Sequence, residues 1–174
     1  MLNAAEPGSD FFASIPFLGD FDAIDQLCYY ANPEYGGLLI YIILGPKEWN
    51  VKTLEKFVGR SKSREEALNR LHIKQFGHDE HWSTATSSHS KAMISSAGAM
   101  IGSYNLTGAA RLRHTEHSVL LGPESNIEGL RNEFRQLWDD ITSAEVKISR
   151  MPSPTKDAPP AAGQVRNPYK KQKN

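Results

Sequence analysis

The chain has 174 residues, 39% of them hydrophobic and 23% charged, which suffices for one packed domain and a tail. Its 20 Lys and Arg balance 20 Asp and Glu, so no global positive field exists and any anion must be held by a local patch. The lone Cys28 rules out an internal disulfide or a zinc framework, and no apolar run reaches the roughly 18 residues of a membrane span.

The N-terminus is polar and acidic at Glu6 and Asp10, unlike a secretory leader. The expected setting is soluble and intracellular, cytoplasmic or nuclear. Residues 1–10 read as a flexible leader. Residues 11–17, aromatic and β-branched, read as a strand. Asp20 is placed to cap a helix to residue 31, with Ile24, Leu27 and Cys28 on one face; Asn32-Pro33 stops it. Residues 38–44 are apolar without alternation, as in a strand covered on both faces.

Residues 51–58 and 63–71 read as helices, the second capped by Ser63, and 72–76 as a short strand. Residues 77–88 are polar and irregular. Short strands are expected at 91–95, 99–102 and 117–121, with a short helix at 106–113 between the last two. The clearest helix is 125–142, where Ile127, Leu130, Phe134, Leu137, Trp138 and Ile141 recur at spacings of three and four. Interleaved strands and helices give the α/β class. After about residue 150 the chain becomes Pro-rich, and from Met151 onward Lys156, Arg166, Lys170, Lys171 and Lys173 face only Asp157. We therefore expect a domain at 11–148 and a disordered basic tail at 149–174, suited to docking a partner or nucleic acid.

The chemistry-bearing segment runs from His89 to Thr107. His89 and Lys91 are two apart, as are Ser103 and Asn105, so on strands each pair shares a face. A turn near Ala97-Gly98 would bring the two pairs together. An imidazole, an ammonium, an amide and a hydroxyl suit a phosphate: the imidazole attacks phosphorus or moves a proton, and the others meet charge on the non-bridging oxygens. Gly102 admits close backbone approach. No metal or cofactor is called for. His78 and His81, in Gly-His-Asp-Glu-His, read as part of a polar loop at the cleft rim rather than as metal ligands.

His-x-Lys followed by Gly-Ser-x-Asn-Leu-Thr resembles the HKD signature of the phospholipase D superfamily. Thr115-Glu116-His117-Ser118-Val119 resembles that family's downstream acidic strand. The third signature position, Asp in the family, is Ser96, and the interval to Gly-Ser is one residue shorter.

The resemblance implies a phospholipase D-like half-domain, a mixed β-sheet flanked by helices on both faces. It implies His89 as the nucleophile forming a phosphohistidine, Lys91 and Asn105 as phosphate ligands with Ser103 assisting, and Glu116 as an orienting carboxylate. It also implies a homodimer in which two motifs face each other. Trp82, Arg111 and Arg113 are candidate substrate contacts: a ring for stacking and two cations for flanking phosphates. Nucleic acid, DNA or RNA, is the expected substrate, without stable membrane insertion. The rival readings are a lipid phosphodiesterase and a non-catalytic nucleic-acid-binding or docking module.

Overall fold

The computed structural model describes residues 1–45, 48–58, 65–75, 91–113, 115–123 and 125–140. Ser63, the 77–88 segment, His89 and the 149–174 tail lie outside the described residues. The strands are β1 (Asp10–Ile15), β2 (Leu39–Leu44), β3 (Leu71–Gln75), β4 (Ala92–Ser95), β5 (Gly98–Gly102) and β6 (Ser118–Leu121). The helices are α1 (Phe21–Ala31), α2 (Glu48–Val58), α3 (Glu65–Leu68), α4 (Gly108–Leu112) and α5 (Ile127–Asp140).

The strands form one mixed sheet in the order β3-β2-β1-β4-β5-β6. β1, β2 and β3 are parallel neighbours, whereas β4, β5 and β6 form an antiparallel meander joined to β1 through β4. Two crossovers stepping in the same direction put their helices on one face. Ile24, Leu54, Phe57 and Leu68 accordingly share one apolar cluster with Phe11, Ala13, Ile15, Ile40, Ile42 and Ile73. α5 covers the other face, where Ile127 and Phe134 pack on Phe12, Ile43, Ile94 and Ala99. The run at 38–44 is apolar throughout because alternate residues of β2 feed the two clusters. Burying one ring such as Phe134 contributes about 1.5–3 kcal/mol.

Local signals set the boundaries. The Asp20 side chain accepts a hydrogen bond from the Asp22 N–H at 3.0 Å and caps α1. Asn32, held extended before Pro33, ends it. Elsewhere tertiary pairing overrides propensity. Leu71, expected to close a helix, opens β3 because it pairs with Ile40. Leu106, expected in a helix, instead bridges to Leu18, and α4 begins only after Thr107, whose hydroxyl accepts from the Ala110 N–H at 3.1 Å.

The leader expected to be loose carries a 3-10 turn at Leu2–Ala4, and Met1, Leu2 and Ala5 pack against the core. Its Glu6 N–H donates to Ser96 Oγ at 2.7 Å. Among the described residues, no helix is long and apolar enough to cross a membrane.

Candidate active site at the open end of the β4–β5 hairpin

The turn of the β4–β5 hairpin is Ser96-Ala97, between the paired Ser95 and Gly98. Gly98 takes a φ of +142°, and a Cβ there would collide with the Leu121 carbonyl. The hairpin opens at the other end, where the Gly102 N–H donates to the Lys91 carbonyl at 3.0 Å. β4 runs antiparallel to β1, so this open end lies beside the carboxyl ends of β1, β2 and β3. Open α/β sheets bind ligands at such an edge.

Four of the candidate residues meet here through backbone and side-chain contacts. Lys91, half-buried, precedes β4 directly. Gly102 ends β5, and its missing side chain lets the His117–Ser118 backbone close in; a Cβ would lie 2.7 Å from Ser118 Cα. The close approach expected of Gly102 is thus made by the chain itself. Ser103 is a junction: its N–H donates to the His117 carbonyl at 2.9 Å, its hydroxyl accepts from the His117 N–H at 3.1 Å, and that hydroxyl also donates to Glu116 Oε2. Ser103 and Glu116 therefore hold the start of β6 against the end of β5.

Asn105 follows in the loop. Its Oδ1 is buried and accepts no hydrogen bond among the described residues. Buried polar atoms are nearly always paired, and leaving one unpaired costs about 1–3 kcal/mol. Turning the amide over presents donors at the same place.

Arg111 is held by two carboxylates of the chain. Its Nε donates to Asp20 Oδ2 at 2.6 Å and its second terminal nitrogen to Asp22 Oδ2 at 2.8 Å. The hydrogen bond and charge of Asp20, with Asp22 adding to them, raise the guanidinium pKa above its ordinary value. Arg113, two residues on at the C-cap of α4, is exposed. His89 and Trp82 lie outside the described residues.

Ser96, the departure from the signature, sits at the closed end of the hairpin. The four residues of β4 lie between it and Lys91, five steps of chain or about 16 Å. Its hydroxyl serves the leader through Glu6 and approaches Ser9 Oγ at 3.4 Å.

A supporting residue escapes the sequence reading. Asn50 of α2 is 0% exposed. Its Oδ1 accepts from the Leu18 N–H at 3.0 Å, and its amide donates to the Pro16 carbonyl at 3.0 Å and the Gly45 carbonyl at 3.1 Å. It fixes the β1–α1 turn at the site edge. A signal was present: Asn50 shares a helical stripe with the buried Leu54 and Phe57 and is the polar one of these three.

A separate cavity of about 220 Å³ lies under α5, lined by Asp10, Phe12, Tyr41, Phe134, Arg135, Trp138 and Asp139. Its rings are already faced by the chain's own cations: Lys74 Nζ lies 4.9 Å from the Trp138 ring and Arg135 5.4 Å from the Phe12 ring. Among the described residues, no group of three or more His, Cys, Asp or Glu is arranged to hold a metal ion.

No protein-family model matches the sequence, and no curated protein is similar to it. Solved structures do match. NucT from Helicobacter pylori superposes with a TM-score of 0.60 at 12% identity, over 82% of this chain and 86% of that one. Nuc from Salmonella typhimurium, a phospholipase D family member, gives 0.56 at 14% identity, over 84% and 86%. The phosphatidylserine synthase of Haemophilus influenzae Rd KW20 gives 0.59 at 12% identity, over 84% of this chain and 36% of that one.

Proposed function

From the phospholipase D superfamily fold that this chain has, we propose that it is a metal-independent phosphodiesterase acting on nucleic acid through His89. The observation that carries the reading is the meeting of the two halves of the signature. Lys91 and Gly102 are hydrogen-bonded across the open hairpin, with Ser103, Asn105 and Glu116 next in line. His89 stands two residues before Lys91, and two residues of chain span at most about 7 Å.

In the first step an imidazole nitrogen of His89 bonds to phosphorus, the phosphorus–oxygen bond to the leaving group breaks, and that oxygen takes a proton from a second acid. In the second step water, deprotonated by the same group, attacks phosphorus and the phosphorus–nitrogen bond breaks. The sequence holds one such motif, so the second acid is the partner's His89 in a homodimer. Lys91 and the Asn105 amide hold the non-bridging oxygens, whose added charge they stabilise. The unpaired Asn105 oxygen supports this role, since the amide has a position to fill and donors to offer. Ser103 and Glu116 keep that loop in place. Arg113, Trp82 and the basic tail extend the grip along the substrate.

The test is a cleavage assay on DNA and RNA with EDTA present. Wild type cuts, and His89→Ala is slower by at least about 10³-fold, the usual cost of removing a nucleophile. Binding without cutting by both proteins would establish a non-catalytic module instead. Cleavage of phospholipid vesicles but not of nucleic acid would move the substrate to lipid. Light scattering showing only a 19.4 kDa monomer removes the shared site.

A further inference from the structure

The Ser103–Thr107 loop carries Ser103 and Asn105, yet among the described residues no strand pairing holds it beyond one bridge, between Leu106 and Leu18. The Leu106 carbonyl accepts from two donors in the β1–α1 turn, the Gly19 N–H at 2.7 Å and the Asp20 N–H at 3.0 Å. The Asp20 side chain then reaches Arg111, five residues beyond Leu106 on α4. A closed ring results. Asp20 holds Leu106 through its backbone and Arg111 through its carboxylate, while Leu106 and Arg111 are joined by the capped turn at Thr107. The Asp20 side chain is 6% exposed and the Arg111 side chain 45%. A buried carboxylate of this kind needs its counter-ion. Asp22 adds a second anchor, so one guanidinium bridges two carboxylates, a geometry an ammonium does not reproduce.

We propose that Arg111 is a positioning residue: its bridge to Asp20 and Asp22 locks the Asn105 loop against the β1–α1 turn and cancels two negative charges beside the phosphate site. This rests on the phosphodiesterase reading for its effect on rate, though not for its effect on the loop. Misplacing a phosphate ligand by about 1 Å costs on the order of 10²-fold in rate. Unmasking Asp20 and Asp22 additionally repels an anionic substrate and raises KM.

The experiment uses the full chain with Arg111→Met, Arg111→Lys and Asp20→Asn, each first shown to be folded by urea titration. Backbone amide exchange at Gly19 and Asp20, the donors to Leu106, reports the loop without reference to activity. The kcat and KM for a chromogenic phosphodiester report the site. Arg111→Met is expected to speed exchange at both amides by about 10-fold or more and to lower kcat/KM by about 10²-fold, with Arg111→Lys recovering only part of each. Unchanged exchange in folded Arg111→Met overturns the proposal, whatever the rate does. Exchange that rises while kcat/KM stays within about twofold overturns the link to the site. Should wild type cleave no diester, the function reading fails alone: exchange still decides the lock, and affinity for inorganic phosphate, weaker in Arg111→Met if the proposal holds and unchanged if it does not, still decides its effect on the site.

Discussion

Replacing Asn50 by Ala tests how the site edge is built. The side chain is fully buried and makes three hydrogen bonds. Truncation deprives the Leu18 N–H and the Pro16 carbonyl of these partners, while the Gly45 carbonyl keeps Gln75 Nε2 at 3.1 Å. Two stranded groups at about 1–3 kcal/mol each give a loss of roughly 2–6 kcal/mol. Against a total stability of about 5–15 kcal/mol, that is a large fraction. Urea unfolding at constant m-value measures it. Gln75→Ala alone costs about 1 kcal/mol, since Asn50 still serves Gly45. The double variant strands the Gly45 carbonyl too, so its loss exceeds the sum of the singles by about 0.5–1 kcal/mol. A loss below about 0.5 kcal/mol for Asn50→Ala, or strict additivity with Gln75→Ala, would refute the account of this turn.

Two further outcomes are expected. Restoring the signature with Ser96→Asp changes kcat/KM by less than about twofold, because about 16 Å of strand separates it from Lys91; a larger gain in the cleavage assay would show that this position communicates with the phosphate. Glu128 has its pKa lowered from the ordinary 4.5 by hydrogen bonds from Arg131 and then Arg135. A carboxyl with a lowered folded pKa stabilises the fold fully above 4.5 and loses that contribution as pH falls through the folded value. Glu128→Gln therefore lowers the thermal midpoint at pH 7 slightly and not at pH 2, and an equal drop at both would place the effect in packing instead.

The elements most plainly written in the sequence are those whose burial follows a period. Ile127, Leu130, Phe134, Leu137 and Trp138 announced α5, and they do pack on the sheet. The uninterrupted run of β2 announced helices on both faces. The candidate site was legible because residue types suited to a phosphate stood two apart on either side of a turn next to Gly98. What stayed hidden was pairing between distant parts of the chain. Arg111 as a phosphate contact and Arg111 as a tie to Asp20 look identical in one dimension, since the partner lies 91 positions away. Ser96 reads as a lost Asp until its hydroxyl is seen to receive the Glu6 N–H, 90 positions away. Leu71 and Leu106 have ordinary helical character, and only Ile40 and Leu18 pull them into extended structure.

The sheet's construction has a consequence for the order of folding. β1 to β3 form a parallel unit, and β4 to β6 form an antiparallel meander in which a tight turn joins β4 to β5 and α4 lies between β5 and β6. The seam between them is the β1–β4 pairing, Phe12 with Ile94, which closes a long loop for three residue pairs of register. Loop-closure entropy makes such a seam the late and slow event. Until it zips, Lys91 and its neighbours belong to one half and the β1–α1 turn to the other. The candidate site thus comes into being with the last step of folding, and the free edge of β1 is the adhesive surface that any half-folded chain would present to its neighbours.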